Sequence, residues 1–329
     1  MWVADGWTDY ELLDAGYGEK LERWGPYILR RPDPQAVWPA DKNSREWLAA
    51  DAAYSRSNSG GGFWEYARGL PAFWDIGYRR LRFRVKPMQF KHTGVFPEQA
   101  VNWDWIITKI GGRNRLPGGT VNSLPVGNTA NGIPTNNTAN GIPGDIANGL
   151  PVKIPDCVRV LSLFAYTGAA SVAAASAGAR VCHVDAARGM VAMAKVNAAL
   201  SGVADDRIRY IVDDVNRFVR REIRRGSKYD AVIMDPPAYG RGPGGELWKA
   251  DTHLYETVEL CTRIFAEPPL FFIINTYAAG ISATSAENIL KAAIVSKFGG
   301  RVESGELAIP VSGGDLLLPC GCCARWERI

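Results

Sequence analysis

Residues 160–185, VLSLFAYTGAASVAAASAGARVCHVD, constrain this chain more than any other stretch. An apolar run ends at Phe164, a turn of small residues carries Gly168, and an alanine-rich helix follows. After Gly178 a second apolar run ends on Asp185. This is one β–α–β unit, and the carboxyl ends of its parallel strands open a crevice where open α/β sheets bind nucleosides. Gly168 would let the backbone approach a ligand closely, and Asp185 can accept hydrogen bonds from both ribose hydroxyls. The glycine fingerprint that seats a pyrophosphate is incomplete, because Ala165 and Thr167 stand where its first glycines would be. A dinucleotide is therefore disfavoured and a nucleoside without phosphates is favoured. The competing reading is an α/β protein whose glycine only closes a tight turn.

With 329 residues the chain can bury a large core and is expected to hold two domains. No apolar run reaches the ~18 residues of a membrane span. The first residues, MWVADGWTDYELLDAG, read as neither a signal peptide nor a transit peptide, so a cytoplasmic location is expected. Cys320, Cys322 and Cys323 cluster without a nearby histidine, and adjacent cysteines suit zinc spacing poorly. Reduced thiols and no metal are expected. A net charge of +4 is too small to argue for nucleic acid by itself, so the distribution of charge matters more.

Residues 8–40 read as short strands broken by Gly16, Gly18, Gly25 and Pro26. In 78–86, YRRLRFRVK, Leu81, Phe83 and Val85 alternate with Arg80, Arg82, Arg84 and Lys86. That is a half-buried strand with a basic face, either an edge protected by charge or an RNA contact. Residues 1–90 thus make a small β-rich N-terminal domain. A connecting helix follows over 91–110, with Pro97 in its first turn and Val101, Trp105 and Ile106 as its apolar stripe. Residues 111–155 repeat NTANGIP in a low-complexity Gly/Asn/Pro insertion. From 156 to 329 strands and helices alternate as in a doubly wound sheet that ends in a hairpin-like pair.

Two acidic turns follow the first crevice. IVDDV puts Asp213 and Asp214 just past the third strand, where they can read an amino group or simply cap a helix. MDPPAYG (234–240) is the sharper signal. Asp235 ends the fourth strand, Pro236 and Pro237 stiffen the turn and remove backbone donors, and Tyr239 can stack on a planar base. In 215–228 the arginines 217, 220, 221, 224 and 225 crowd one helix, either as a solvated face or as phosphate contacts. Trp248 and Lys249 follow GRGPGG and are expected in a mobile loop over the base pocket.

FAYTG, the strand end at Asp185, VDDV and DPPAYG, in that order, resemble the class I S-adenosylmethionine-dependent methyltransferases. More narrowly they are similar to the bacterial large-subunit rRNA methyltransferases of the cytosine-C5 and guanine-N7 group, and HTGVFPEQ (92–99) resembles the segment that precedes their catalytic domain. The resemblance implies a Rossmann-like, seven-stranded and mostly parallel α/β fold over 156–329. It also implies S-adenosyl-L-methionine as cofactor and RNA as partner. Cofactor contacts would fall on Phe164, Tyr166, Thr167, Gly168, Asp185, Ala186, Asp213, Asp214 and Asp235, and the substrate turn on Asp235, Pro236, Pro237 and Tyr239, with Asn275 at the base edge. Methylation at a pyrimidine carbon-5 requires a cysteine adduct. In the cytosine-modifying relatives that cysteine follows the fifth strand, whereas here 272–277 reads FIINTY. The nearest cysteine in sequence, Cys261, is expected on the apolar side of a helix, so methylation of a base nitrogen in ribosomal RNA, most naturally of a purine, is expected. The rivals are methylation of a protein amide or small molecule, a nicotinamide-dependent dehydrogenase, and a non-catalytic RNA-binding protein.

Overall fold

The structure is a computed structural model that describes residues 1–57, 61–88, 90–113 and 157–329. From residue 114 onward, the repeat tract expected over 111–155 lies outside the described residues. The N-terminal segment opens with β1 (Trp2–Val3), β2 (Tyr10–Gly16), β3 (Glu19–Trp24), β4 (Tyr27–Pro32), a one-turn helix α1 (Arg45–Leu48), β5 (Ala52–Arg56) and β6 (Gly62–Tyr66). Strands β2 to β6 form one sheet in sequence order, and β7 (Trp74–Tyr78) pairs with β8 (Leu81–Val85) as a separate hairpin. Helix α2 (Ala100–Arg113) then leads to the second half of the chain.

That half contains β9 (Arg159–Leu163), α3 (Ala169–Ser176), β10 (Arg180–Asp185), α4 (Arg188–Leu200), β11 (Ile208–Val212), α5 (Val215–Arg224) and β12 (Ala231–Met234). A short hairpin of β13 (Tyr239–Arg241) and β14 (Leu247–Lys249) precedes α6 (Ala250–Thr262), β15 (Phe271–Thr276), α7 (Ala283–Leu290), β16 (Arg301–Pro310) and β17 (Leu317–Glu327). The central sheet runs β1-β16-β17-β15-β12-β9-β10-β11. Strands β15, β12, β9, β10 and β11 are parallel, and β17 is antiparallel to both neighbours. Continuous apolar runs such as AVIM in β12 and FFII in β15 are what strands covered on both faces require.

The seven expected strands are present, and the hairpin-like pair that ends the sheet is β16 with the eleven-residue β17. An eighth strand was not foreseen: Trp2 and Val3 pair with Leu307 and Ala308 at the sheet edge. Two residues are too few to carry a period. One apolar core runs from Tyr10, Trp24 and Ile76 through Trp103 to Ile273 and Cys323, so the N-terminal sheet and the central sheet share a core. Between them Glu22 is fully buried and accepts from Tyr10 and, through both oxygens, from Arg31. Burial would raise the Glu22 carboxyl, but Arg31 and Lys20 outweigh it and hold it at about 2.

In β8, Leu81, Phe83 and Val85 are buried as the alternation requires. The backbone of its opposite edge lies against α4: Arg82 N donates to Ser201 and Arg84 N to Asn197. Arg84 pairs with Asp75, and Arg80 donates to the Ser176 carbonyl. Much of the basic face therefore holds the protein to itself. In α2 the buried stripe is Ala100, Trp103, Ile106 and Ile110, rotated from the expected one, and Val101 and Trp105 are only partly buried. No helix among the described residues is long and apolar enough to cross a membrane.

Candidate active site

The FAYTG turn is built from left-handed backbone. Phe164, Tyr166 and Gly168 have φ of 52°, 48° and 84°, a region that side chains other than glycine rarely occupy. The turn is held from two sides. Asp185 Oδ2 accepts from Tyr166 N at 2.8 Å and its Oδ1 from Ala187 N at 2.8 Å. Thr167 donates its hydroxyl to the Gly94 carbonyl, and Asn197 donates to the Thr167 carbonyl. A Cβ at Gly168 would come within 2.7 Å of Ala194 Cβ, so helix packing against α4 demands this glycine. The sequence reading had assigned its open face to a ligand. Burial pushes the Asp185 carboxyl up, against the two amides that lower it. Each of its oxygens keeps a lone pair for a further donor.

The acidic pair separates in the fold. Asp213 accepts from the side chains of Arg217 and Arg221, and Asp214 caps α5 through a 2.8 Å bond from Arg217 N. Asp213 is thus engaged by the helix that follows it, and Ala186 lies half-buried between Asp185 and Ala187. The stretch expected as a loop over the pocket is the β13–β14 hairpin. Its Trp248 is buried, donates to the Pro237 carbonyl at 2.7 Å and packs on Phe164 with ring centroids 4.6 Å apart. Arg217 ties the hairpin to α5 through Glu246. Tyr239, 54% exposed, stands beside the DPP turn rather than inside the crevice.

A narrow cavity opens below the turn, lined by Phe164–Ala170, Asp235 and Asn275 together with Phe96, Gln99 and Asn102. Asp235 and Asn275 each follow a paired position, Met234↔Ile274, of two adjacent parallel strands. Asp235 Oδ1 is enclosed and has no hydrogen-bond partner among the described residues. Burial, with Glu98 as a second cause, pushes this carboxyl up to about 7. Asn275 Oδ1 accepts from Asn102 Nδ2 at 2.9 Å, and Asn102 Nδ2 also donates to Gln99 Oε1 at 2.8 Å. Arg325 donates to Asn102 Oδ1 through Nε and Nη2, at 2.9 and 2.5 Å. Gln99 and Asn102 were not singled out from sequence. Their signal was available: two amides three apart, next to the apolar stripe of α2, must meet buried partners.

Cys323 is a third residue that the sequence did not place beside the site. It pairs with Asn275 across β15 and β17. It is fully buried, donates to Asn102 Oδ1, and burial pushes its thiol up to about 11.

The pieces suit a cationic nucleoside: an acid with spare lone pairs at the second strand end, an unpartnered carboxyl oxygen at the fourth, and an aromatic floor at Phe164. A family model for S-adenosylmethionine-dependent methyltransferases matches residues 152–262. A SAM-dependent methyltransferase from Agrobacterium tumefaciens is 32% identical in sequence and superposes with a TM-score of 0.80, over 98% of this chain and 92% of that one. The chain belongs to the S-adenosylmethionine-dependent methyltransferases. Its cofactor is S-adenosylmethionine, and the Rossmann-like fold follows the family. A Streptococcus mutans chain shares the fold alone, at 16% identity and a TM-score of 0.66 over 98% of this chain and 76% of that one. Among curated relatives, ribosomal RNA large subunit methyltransferase I of Aeromonas salmonicida is 34% identical over 88 residues, 26% of this chain and 22% of that protein. The Klebsiella pneumoniae protein of the same name is 35% identical over 82 residues, 25% of this chain and 20% of its own. The chain thus matches about a fifth of the length of these curated relatives.

Proposed function

We propose that this methyltransferase modifies a base nitrogen of RNA, and of ribosomal RNA in particular. The observation that carries the reading is Asp235 Oδ1, an enclosed carboxyl oxygen with no partner, aimed into the cavity at the end of β12. Such a group is costly to leave unpaired, and a base N–H would satisfy it. When bound, S-adenosylmethionine supplies a methyl group on a sulfonium that already carries its leaving group, so the protein contributes alignment and charge.

Phe164, Tyr166, Thr167 and Gly168 form the cofactor side, with Asp185 for the ribose hydroxyls. Of the acidic pair, Asp214 keeps an oxygen free for the adenine edge, while Asp213 is taken up by Arg217 and Arg221. Pro236 and Pro237 hold the turn rigid, and Tyr239 offers an exposed ring for stacking on the base. Asp235, pushed up to about 7 by burial, is tuned to take the proton that a methylated N–H sheds. That no cysteine among the described residues lines the cavity supports nitrogen over carbon: Cys323 is buried outside it, with its thiol pushed up to about 11. Support for RNA comes from the names of the curated relatives, and from Arg220 and Arg224, which stand exposed on α5. An in-duplex target would have to be flipped out of its stack to reach the cavity. Purified enzyme with tritiated S-adenosylmethionine, offered ribosomal RNA or total protein, tests this. Nucleoside mass spectrometry should find a nitrogen-methylated purine; 5-methylcytosine or 5-methyluridine would overturn the reading.

A further inference from the structure

The amides beneath the cavity are not free to choose their orientation. A guanidinium only donates. Arg325 directs both Nε and Nη2 at one atom of Asn102, and that atom must be Oδ1. Asn102 is then forced to turn Nδ2 the other way, where it meets Gln99 and Asn275. Both neighbours must answer with an oxygen. For Asn275 this leaves Nδ2, which has no partner among the described residues, on a side chain that lines the cavity. Gln99 obeys the same rule, since with Oε1 taken its Nε2 donates to the Tyr277 hydroxyl at 2.6 Å. Arg325 is itself pinned, buried with its guanidinium 4.0 Å from the centre of the Trp2 ring.

We propose that Arg325 and Asn102 are positioning residues that lock the Asn275 amide with its Nδ2 toward the cavity. The pocket therefore presents a donor at Asn275 beside the acceptor at Asp235. The complementary ligand edge carries an acceptor next to an N–H donor, as on the Watson–Crick edge of a base. The atom bonded to Asn275 has its lone pair occupied and is not the one methylated; the methyl goes to the nitrogen that faces Asp235. This rests on the reading of the cavity as a base pocket and adds the polarity of that pocket and its cause. Had Asn275 been placed by packing alone, its two amide atoms, nearly equal in size, would be interchangeable.

The test separates the lock from the substrate. In protein labelled with ¹⁵N at asparagine, the Asn275 side-chain signal is assigned by its loss in Asn275→Asp. Its amide protons should exchange rapidly with water in the wild type. In Asn102→Asp the new carboxylate still pairs with Arg325 but cannot donate, so the Asn275 amide should turn over, bond to it and become protected at least tenfold. Protected Asn275 protons in the wild type, or unchanged exchange in Asn102→Asp, overturn the lock. With ribosomal RNA and S-adenosylmethionine, Asn102→Asp should lower kcat at least 100-fold while affinity for S-adenosylhomocysteine stays within threefold. Arg325→Lys, which also only donates, should restore most of the kcat that Arg325→Met loses. Equal losses in the lysine and methionine variants contradict the proposal, since a purely structural arginine would behave that way. If the wild type methylates no RNA at all, the RNA reading fails, while the exchange experiment still decides the lock.

Discussion

The two halves of the crevice are assembled in opposite ways. On the cofactor side the bonds that fix the Asp185 carboxylate are local, Tyr166 reaching Asp185 nineteen residues on and Asp185 holding Ala187 two residues on, and the tie from Thr167 to Gly94 reaches back only 73 residues. On the substrate side the fixing bonds span the chain, from Asn102 to Asn275 across 173 residues and from Asn102 to Arg325 across 223. The first half is satisfied before any ligand arrives, whereas the second keeps an enclosed carboxyl oxygen unpaired. A turn closed on itself can be a generic holder for a common cofactor. A pocket with polar groups supplied from three distant segments can be tuned to one target.

Breaking the substrate half should be felt in chemistry and scarcely in folding. Asp235→Ala should cut methyl transfer by about a hundred- to a thousandfold, the scale of losing a preorganised polar group at a reacting centre. Its melting temperature should hold or rise, because an unpaired buried oxygen has been removed; a fall of more than a few degrees would contradict the contrast. Breaking the cofactor half should do both. Asp185→Ala should weaken S-adenosylhomocysteine binding by ~1–3 kcal/mol in calorimetry and also lower stability, since two backbone amides lose their acceptor. Unchanged affinity would take Asp185 out of the cofactor site.

The pH dependence sharpens the same line. The Asp235 carboxyl titrates at about 7 in the fold and near 3.9 in an unfolded chain, so the folded state holds its proton more tightly. The stability this gives is complete below about pH 4 and is lost as pH rises through 7. Thermal melts from pH 5 to 8 should therefore show the wild type losing ground to Asp235→Asn, and parallel curves would refute it. The smallest effect is expected at Cys323→Ala, which should leave methyl transfer within about threefold. Abolished transfer there would point to a covalent thiol mechanism and a carbon target.

What could be read from sequence follows the same division. Phe164, Tyr166, Thr167 and Gly168 lie in one short motif, and apolar runs ending on Asp185 and Asp235 mark strand ends, so the turn and the sheet were legible. Asn275 was legible as the end of β15. Gln99 and Asn102 were legible only as amides beside an apolar stripe; their role was not, because it depends on Arg325, and no periodicity links positions 102 and 325. Asp213 was open as a reader of an amino group or a helix cap, because sequence shows Arg217 and Arg221, one and two helical turns later, but not that both fold back onto this carboxylate. The β1 strand escaped because two residues make no pattern.

That pairing of β1 with β16 sets an order on biosynthesis. Residues 2 and 3 leave the ribosome about 305 residues ahead of their partners at 307 and 308. At ~5–20 residues per second the opening segment waits about 15–60 s for the strand it joins. Trp2, against which Arg325 is seated, waits equally long. The turn around Gly168 can form before β17 is made, but the amide lock cannot close until the Arg325 of β17 emerges. A nascent chain therefore acquires the means to hold its cofactor before it acquires the means to choose a substrate.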